Sequence, residues 1–224
     1  MGIAVLIPAA GSGSRFGGEI PKQFLQLAGR PVLLHTVERF LLDDAVTRVV
    51  VAVAEPLLAS VKRAPGDRVV FVAGGSTRQQ SVMRALEAAG DDVDVIAVHD
   101  AVRPFFRTST FAGIVSLARE HGAALPAVPL NDTIHVVGDE FVIKQTLDRS
   151  TLAAAQTPQV FRATILRDIL DRAMREGIDG TDEATLAVRY GYTVKVVVGD
   201  VTNIKITRPE DMAIAESWLQ ETAE

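Results

Sequence analysis

One basic side chain lies within a glycine-rich loop near the start of the chain, and a second follows the loop. Residues 5–25 read VLIPAAGSGSRFGGEIPKQFL, an apolar run followed by four glycines, with Arg15 inside the loop and Lys22 after it. Glycines let backbone N–H groups approach an anion closely, and two cations would neutralise several phosphate charges. Because Pro21 fixes the backbone just before Lys22, the pattern favours a phosphate-binding loop over a solvated surface loop with incidental charges.

Two common phosphate-binding motifs resemble this loop but do not match it. A P-loop needs a lysine and a hydroxyl residue directly after its second glycine; Gly13 and Gly18 have the right spacing, but Glu19 follows. A dinucleotide fingerprint needs G-x-G-x-x-G at the opening of a helix, and after Gly11 and Gly13 the third glycine comes one residue late, at Gly17. A dehydrogenase would therefore be supported by Gly11 and Gly13 alone.

The composition is that of a globular protein. The chain has 224 residues, of which 48% are hydrophobic and 23% charged, values typical of soluble domains. A net charge of −5 disfavours nucleic acid as a partner. The absence of cysteine excludes disulfides, thiolate metal sites and cysteine nucleophiles. Because neither a signal peptide nor an apolar run of about 20 residues is visible, we expect a cytoplasmic protein without a membrane partner.

Short apolar runs alternate with longer amphipathic segments along the chain. The predicted strands are 3–8, 47–53, 69–72, 94–98, 123–128 and 193–198. The predicted helices are 31–42, 56–63, 76–89, 108–121, 162–176, 182–190 and 209–221. Strands rich in Val and Ile with little alternation are typical of strands covered on both faces. The order of elements therefore predicts an α/β fold with a mostly parallel, Rossmann-like sheet flanked by helices.

Several residues mark the predicted helix ends. Ser76 and Thr108 stand where N-caps are expected, and Gly90 and Gly177 stand where helices are expected to end. Asp182-Glu183 opens the helix at 182–190, where acidic side chains suit the helix dipole. We therefore do not predict these two acids to be metal ligands.

One segment interrupts the alternation of strands and helices. Residues 132–146 read DTIHVVGDEFVIKQT, in which two β-rich runs flank Gly138-Asp139, a hairpin signal. An isolated hairpin is at best marginally stable in water, so it must pack on its own domain or on a second copy of the chain. Because it resembles an inserted arm, we favour the second copy. The prediction is one domain over 1–224 with a β-hairpin dimerisation arm at about 131–152.

Motifs along the whole chain resemble one enzyme family. The pattern P-A-A-G-x-G-x-R followed by P-K-Q is similar to the signature of nucleotidyltransferases that attach a nucleoside monophosphate to a sugar or polyol phosphate. Five further motifs narrow the match: GGSTRQQSV (74–82), HDAVRP (99–104), TPQVF (157–161), TDEA (181–184) and NIKITRPED (203–211). In this order they resemble the 2-C-methyl-D-erythritol 4-phosphate cytidylyltransferase family of the non-mevalonate isoprenoid pathway.

The resemblance implies a reaction and its partners. CTP and a polyol phosphate, methylerythritol phosphate, would give the CDP-polyol and pyrophosphate with Mg²⁺ as cofactor, in a homodimer that exchanges hairpin arms. Ribitol-5-phosphate cytidylyltransferases share much of the pattern, so ribitol 5-phosphate is the alternative acceptor. A nucleotide-binding regulator that no longer catalyses is disfavoured, because Arg15, Lys22, Asp100 and Lys205 are all present.

The proposed chemistry does not need a general base. A phosphate monoester with its second pKa near 6 is largely dianionic at neutral pH, which agrees with a sequence that has no evident Ser-His-Asp arrangement. Catalysis would then depend on neutralising charge and aligning the two reacting phosphates. Under this interpretation His99 is structural rather than catalytic, and His35 belongs to the core or to a helix face.

The resemblance also implies which residues form the site. The residues implied in CTP binding are Pro8, Ala9, Ala10, Gly11, Gly75, Ser76, Ser81, Asp100 and Ala101. Those implied in substrate binding are Arg103, Thr133, Arg149, Thr157 and Lys205. Those implied in catalysis are Arg15, Lys22, Lys205 and Arg149. Since most of them follow predicted strands, we expect them to meet at the carboxyl ends of the parallel sheet, where open α/β folds bind ligands.

Some of these assignments have structural alternatives. Ser76 is either a contact to the cytosine or only a helix cap. Asp100 either binds the ribose or approaches the metal, or it is a buried acid paired with Arg103. Thr133 and Arg149 lie in or next to the predicted arm, so they either serve the partner's site or contribute only to packing and surface charge.

Overall fold

The computed structural model describes residues 2–11, 20–61 and 66–221. The strands are β1 (Gly2–Ala9), β2 (Gln26–Leu27), β3 (Arg30–Pro31), β4 (Val46–Val53), β5 (Val69–Ala73), β6 (Val93–Val98), β7 (Ala123–Pro129), β8 (Ile134–Val137), β9 (Ile143–Leu147), β10 (Ala153–Ala155), β11 (Gln159–Arg162) and β12 (Val194–Val198). The α-helices are α1 (Val32–Leu41), α2 (Leu58–Val61), α3 (Arg78–Ala89), α4 (Phe111–His121), α5 (Ala163–Glu176), α6 (Glu183–Arg189) and α7 (Pro209–Glu221). Arg15 lies outside the described residues.

The central sheet is mostly parallel, as predicted. Its order is β5-β4-β1-β6-β11-β7-β12, with β10 also paired to β7. Leu6 in the middle of β1 pairs with Val50 of β4 on one side and Val98 of β6 on the other, both in parallel register. Strand β11 runs antiparallel between β6 and β7. The fold is therefore an α/β sheet covered on both faces, in which β11 is inserted antiparallel between β6 and β7 and β10 pairs antiparallel with β7.

Both faces of the sheet are covered by helices. Along β1, Val5 and Ile7 face a core formed with α1 and α4, whereas Ala4 and Leu6 face a second core formed with α3, α5 and α6. All four side chains are fully buried. This explains why the strand shows no polar alternation in the sequence.

Two predicted helix starts are wrong, and two predicted helix ends are confirmed. Thr77, not Ser76, caps α3, because its hydroxyl accepts a hydrogen bond from the Gln80 amide; the Ser76 hydroxyl donates instead to the Gln80 side chain at 2.8 Å. Thr108 opens a short 3₁₀ turn before α4 rather than capping it. Helices α3 and α5 end at Gly90 and Gly177, which have φ values of 78° and 65°, a region that glycine adopts without strain.

The predicted hairpin is present as β8 and β9. The strands pair antiparallel, and the turn between them is closed by a hydrogen bond from the Gly138 amide to the Val142 carbonyl at 2.9 Å. Glu140 and Phe141 both have positive φ, so the turn is longer than the two residues suggested by Gly138-Asp139. Phe141 is 93% exposed. Exposed apolar side chains on a hairpin are typical of an element that packs on another molecule.

Candidate active site

A cavity of about 330 Å³ opens at the carboxyl ends of β1, β5 and β6. Its lining residues are Pro8, Ala9, Ala10, Gly11, Lys22, Gln23, Gly75, Ser76, Thr77, Arg78, Ser81, Asp100, Ala101, Val102 and Lys205. All nine residues predicted to bind CTP are in this set, together with Lys22 and Lys205. The cavity lies where open parallel sheets bind their ligands.

A buried glutamine holds the first loop of the cavity. The Gln23 side-chain amide donates to the carbonyls of Ala9 at 2.6 Å and Gly11 at 2.9 Å. Gln23 follows Lys22 in a short 3₁₀ turn, so these hydrogen bonds also bring Lys22 to the end of β1. Gln23 belongs to the P-K-Q motif, but the sequence pattern indicated no role for it.

The second wall of the cavity is the loop between β5 and α3. The Gly74 amide donates to the Val53 carbonyl at 2.7 Å, and a Cβ added to Gly74 would lie 2.4 Å from Cβ of Ala10. The Ser81 hydroxyl accepts from the Gly75 amide at 3.1 Å and donates to the Thr77 carbonyl at 2.9 Å. The absence of a side chain at Gly74 therefore lets the loops after β1 and β5 meet.

Asp100 is the centre of a cluster of charges. Its Oδ2 lies 3.1 Å from Nζ of Lys205 and 3.1 Å from Nε of Arg103, while Oδ1 lies 4.0 Å from Nε of Arg78. The Asp100 side chain is only 10% exposed. Burial alone would raise its pKa, but the charges of Lys205, Arg78 and Arg103 hold the pKa well below its usual range. The carboxylate is therefore ionised throughout the physiological pH range.

The sequence left open that Asp100 is a buried acid paired with Arg103. That ion pair is present, but Lys205 and Arg78 also surround the carboxylate. Arg103 does not line the cavity. Its Nη1 donates to the Asn203 carbonyl at 2.6 Å, which connects it to the segment carrying Lys205. Arg103 therefore connects Asp100 to the segment that carries Lys205, from outside the cavity lining.

His99 is a buried support for the same loop. Its Nε2 lies 3.1 Å from the Arg103 carbonyl and its Nδ1 lies 3.1 Å from the Thr157 hydroxyl, which also accepts from the Asp100 amide. Its ring contacts Phe40 at a centroid distance of 4.9 Å. Burial lowers the pKa of His99 to about 4, so the imidazole is neutral and donates from Nε2. Thr157, predicted to bind substrate, lies behind Asp100 in this arrangement.

Arg78 is a cavity residue to which the sequence analysis assigned no role. Its Nη1 and Nη2 donate to the two carboxylate oxygens of Glu183 at 2.6 and 3.0 Å, and the Glu183 side chain is 2% exposed. Burial alone would lower the pKa of Arg78, but Glu183 raises it above its usual range. Glu183 is thus an ion-pair partner at the start of α6, next to Asp182, whose carboxylate caps that helix by accepting from the Thr185 amide.

The hairpin residues predicted to contact substrate do not line the cavity of a single chain. Thr133 precedes β8 and is exposed. Arg149 follows β9 and is exposed, and its guanidinium donates to the Asn131 carbonyl. The cavity is therefore lined by residues outside the hairpin, whereas Thr133 and Arg149 lie at the two ends of the hairpin.

No helix within 2–11, 20–61 and 66–221 is both long enough and apolar enough to cross a membrane.

Comparison with known proteins identifies the family. The family model described as 2-C-methyl-D-erythritol 4-phosphate cytidylyltransferase matches residues 3–221. A relative with that description from Symbiobacterium thermophilum is 44% identical over 223 residues, which cover 99% of this chain and 94% of the relative. Another from Solibacter usitatus is 42% identical over 238 residues, covering 100% and 98%.

Solved structures agree with this match. The crystal structure of 2-C-methyl-D-erythritol 4-phosphate cytidylyltransferase from Thermus thermophilus is 35% identical with a TM-score of 0.83, covering 98% of this chain and 100% of that one. The enzyme of the same description from Francisella tularensis is 29% identical with a TM-score of 0.85, covering 97% and 99%. The chain belongs to the 2-C-methyl-D-erythritol 4-phosphate cytidylyltransferase family.

Proposed function

We propose that this protein transfers CMP from CTP to 2-C-methyl-D-erythritol 4-phosphate, giving 4-diphosphocytidyl-2-C-methyl-D-erythritol and pyrophosphate for isoprenoid precursor biosynthesis. The observation that supports this most strongly is the meeting of Lys22 and Lys205 with the Asp100 cluster in one cavity at the carboxyl edge of the sheet. An acidic protein that concentrates cations in one cavity is suited to bind a polyanion.

The reaction is an in-line displacement at phosphorus. An oxygen of the acceptor phosphate attacks the α-phosphorus of CTP, the bond from that phosphorus to the oxygen bridging the β-phosphate breaks, and pyrophosphate leaves. The acceptor oxygen carries no proton that must be removed, because the monoester is largely dianionic at neutral pH. The barrier therefore comes from bringing two anions together, which cations and fixed alignment reduce.

The cavity residues divide this task. Lys22, together with the predicted Arg15, holds the triphosphate and stabilises the departing pyrophosphate. Lys205 binds the α-phosphate, for which it exchanges its ion pair with Asp100. The backbone of the loop after β1 and the loop carrying Gly75 and the Ser81 hydroxyl bind the nucleoside.

The cavity also fits a divalent cation held mainly by phosphate. Among the described residues, no group of three or more His, Asp or Glu side chains comes together as a metal cage, and Asp100 is the acidic residue of the cavity lining. Mg²⁺ typically keeps several waters and takes one or two carboxylates together with substrate phosphates. We therefore propose Asp100 as the protein ligand; bound Mg²⁺ would neutralise charge on the phosphates.

The acceptor site is proposed to be completed by a second copy of the chain. Thr133 and Arg149 lie at the two ends of the hairpin rather than in the cavity lining, and the hairpin exposes Val136, Val137, Phe141, Val142 and Ile143. In a symmetric homodimer, each hairpin would reach the other body and contribute these two polar side chains to the partner's acceptor site.

A panel assay tests the proposed function. Pyrophosphate release is measured with CTP, UTP and ATP against methylerythritol phosphate, ribitol 5-phosphate and no acceptor, with and without Mg²⁺. We expect release only with CTP, methylerythritol phosphate and Mg²⁺ together. Turnover with ribitol 5-phosphate and none with methylerythritol phosphate would contradict the proposed acceptor, and CTP binding without turnover would indicate a regulator.

A further inference from the structure

The ion pair between Arg78 and Glu183 joins two segments at the edge of the cavity. Arg78 is the first residue of α3 and Glu183 is the first residue of α6. Both guanidinium Nη atoms bind the Glu183 carboxylate, a geometry that fixes the guanidinium plane. The neighbouring Gln79 strengthens the junction, because its amide donates to the Ile178 carbonyl and accepts from the Gly180 amide, both at 2.9 Å.

Stability alone does not account for this pair. A cation at a helix N-terminus opposes the helix dipole, and Arg78 occupies that position in α3. A buried ion pair is also weak support for stability, since replacing both partners by apolar residues is often neutral or favourable. Because Arg78 is unfavourable for the helix and lines the cavity, we infer that it has a role in the site.

The remaining face of Arg78 is directed towards Asp100. With both Nη atoms on Glu183, the Arg78 Nε lies 4.0 Å from Oδ1 of Asp100. The other carboxylate oxygen, Oδ2, is shared by Lys205 and Arg103. The cations on the two carboxylate oxygens thus differ in how freely they can move. Lys205 is a single ammonium on a flexible side chain, whereas the guanidinium of Arg78 is fixed by Glu183.

We propose that Arg78, clamped by Glu183, is a positioning residue that keeps the Asp100 carboxylate in place during nucleotidyl transfer. The inference rests on the proposed function, in which Lys205 exchanges Asp100 for the α-phosphate. When Lys205 moves, Asp100 loses one partner on Oδ2, and the fixed guanidinium on the Oδ1 side keeps the carboxylate in place. Arg78 itself cannot follow the phosphates without leaving Glu183 unpaired.

The test separates positioning from stability. Arg78→Gln leaves the Glu183 charge buried without its partner and is expected to destabilise the protein strongly. The informative variant is therefore the double substitution Arg78→Met with Glu183→Leu, which removes both charges and keeps the volume. We expect its melting temperature to stay near that of the wild type while kcat/KM for CTP falls by about tenfold or more, the range of coupled side chains.

Matched controls complete the design. Arg119 and Asp94 form a similar two-bond pair, at 2.9 and 3.3 Å, and neither lines the cavity; Arg119→Met with Asp94→Leu should leave kcat/KM unchanged. Arg78→Lys keeps the charge but not the fork, so it should recover only part of the loss. Wild-type kcat/KM in the Arg78→Met, Glu183→Leu variant, or full recovery in Arg78→Lys, would overturn the inference.

A readout independent of turnover distinguishes this inference from the proposed function. A crystal structure of Arg78→Met, Glu183→Leu with CTP bound, the state in which Lys205 has left Asp100, should show the Asp100 carboxylate rotated away from its position in the CTP-bound wild type. If the wild type fails to turn over methylerythritol phosphate, the proposed function falls, and this structure still decides the positional claim. A carboxylate in the same place as in the wild type would overturn that claim.

Discussion

At the scale of residues, the neighbours of Asp100 offset the unfavourable burial of its negative charge in the cavity. A carboxylate in a cavity for a triphosphate would repel the ligand, and a buried one would tend to take up a proton. Lys205, Arg103 and Arg78 surround it, so the carboxylate stays charged while the cluster as a whole keeps positive character. In the proposed function, the same charge lets Asp100 hold a cation that arrives with the nucleotide.

Lys22 is expected to matter for turnover and little for stability. It lies on the cavity wall, and its proposed partners are phosphates of the ligand. Lys22→Ala should lower kcat/KM by about 100-fold or more, the cost of losing one preorganised stabilising group. Steady-state kinetics and thermal unfolding measure the two effects. Arg175 is an exposed arginine in the last turn of α5, and the control variant Arg175→Ala should change neither activity nor stability. If Lys22→Ala unfolded the protein, so that the loss of stability accounted for the loss of activity, the assignment would be contradicted.

His99 predicts a pH dependence of stability. Burial lowers the pKa of His99 to about 4, below its usual value of about 6.5. Between these values the unfolded chain binds the proton and the folded chain does not, so the contribution is full above pH 6.5 and is lost as pH falls towards 4. From pH 7 to pH 5, the free energy of unfolding should drop by about 2 kcal/mol from this group.

Urea unfolding at pH 5, 6 and 7 measures that slope. His99→Gln removes the titrating group, so the variant should be less stable at pH 7 but should show a shallower pH dependence over this range. Carboxylates titrate mainly below about pH 5 and contribute little in this window. Identical slopes in the variant and the wild type would show that His99 is not the group responsible.

The predicted site residues that line the cavity differ in kind from the cavity residues to which no role was predicted. The predicted CTP-binding residues lie in motifs at or after the ends of β1, β5 and β6, and they line the cavity. Gln23 and Arg78 were missed because their contacts, to Ala9, Gly11 and Glu183, depend on which loops meet in space. Arg78 and Glu183 lie 105 residues apart in the sequence, so their pairing leaves no spacing signal in the chain.

At the scale of elements, the site depends on close contact between the loops after β1 and β5. Gly74→Ala would place a Cβ 2.4 Å from Cβ of Ala10, so one of the two loops must shift. We expect a higher KM for CTP and a loss of about 1–3 kcal/mol in the free energy of unfolding, as for other overpacked sites.

Gly113 offers a matched glycine outside the site. It lies within α4, and apart from its chain neighbours and the backbone of its own helix no atom lies within 4 Å of an added Cβ. Gly113→Ala should raise the free energy of unfolding by about 0.5–1 kcal/mol, since alanine is the better helix former, and should leave the KM for CTP unchanged. Chemical denaturation and CTP kinetics on the two variants test the pair; unchanged CTP kinetics in Gly74→Ala would show that the loop contact is not needed.

The elements themselves were predicted well where they carry long apolar patterns. All six predicted strands and the seven predicted helices correspond to elements of the structure, with ends shifted by a few residues and with 55–57 and 108–110 forming 3₁₀ turns. Strands β10 and β11 were missed because three or four residues are too short for a periodic signal. Val160 and Phe161 of β11 are nevertheless fully buried, inserted between two longer strands. Ser76 was preferred to Thr77 as a cap because adjacent hydroxyl residues are equivalent in the sequence.

At the scale of the whole molecule, the hairpin predicts sites built from two chains. In a mixed dimer of Lys22→Ala and Arg149→Ala subunits, one site would combine the intact body of one subunit with the intact arm of the other. Mixing the inactive homodimers should restore up to about a quarter of wild-type activity after random exchange between symmetric dimers. Subunit exchange is verified by mass spectrometry of differently labelled chains. Exchange without recovered activity would place the complete site within one chain.

The whole-molecule arrangement was only partly accessible from the sequence. The alternation of strands and helices predicts a parallel sheet, and a parallel sheet predicts a site at its carboxyl edge. The insertion of β11 between β6 and β7 could not be read from that alternation, because the strand reaches its place through long-range pairing. The proposed assembly of two chains likewise depends on surfaces that a single sequence does not specify.

The proposed function requires the cations of this cavity to bind the phosphates of CTP. The most direct measurement is a crystal structure of the protein with CTP and Mg²⁺. We expect the triphosphate in the cavity with Nζ of Lys22 and Lys205 in contact with phosphate oxygens, and cytosine beside the loop carrying Gly75 and Ser81. A nucleotide bound at another surface, with Lys205 still paired to Asp100, would contradict it.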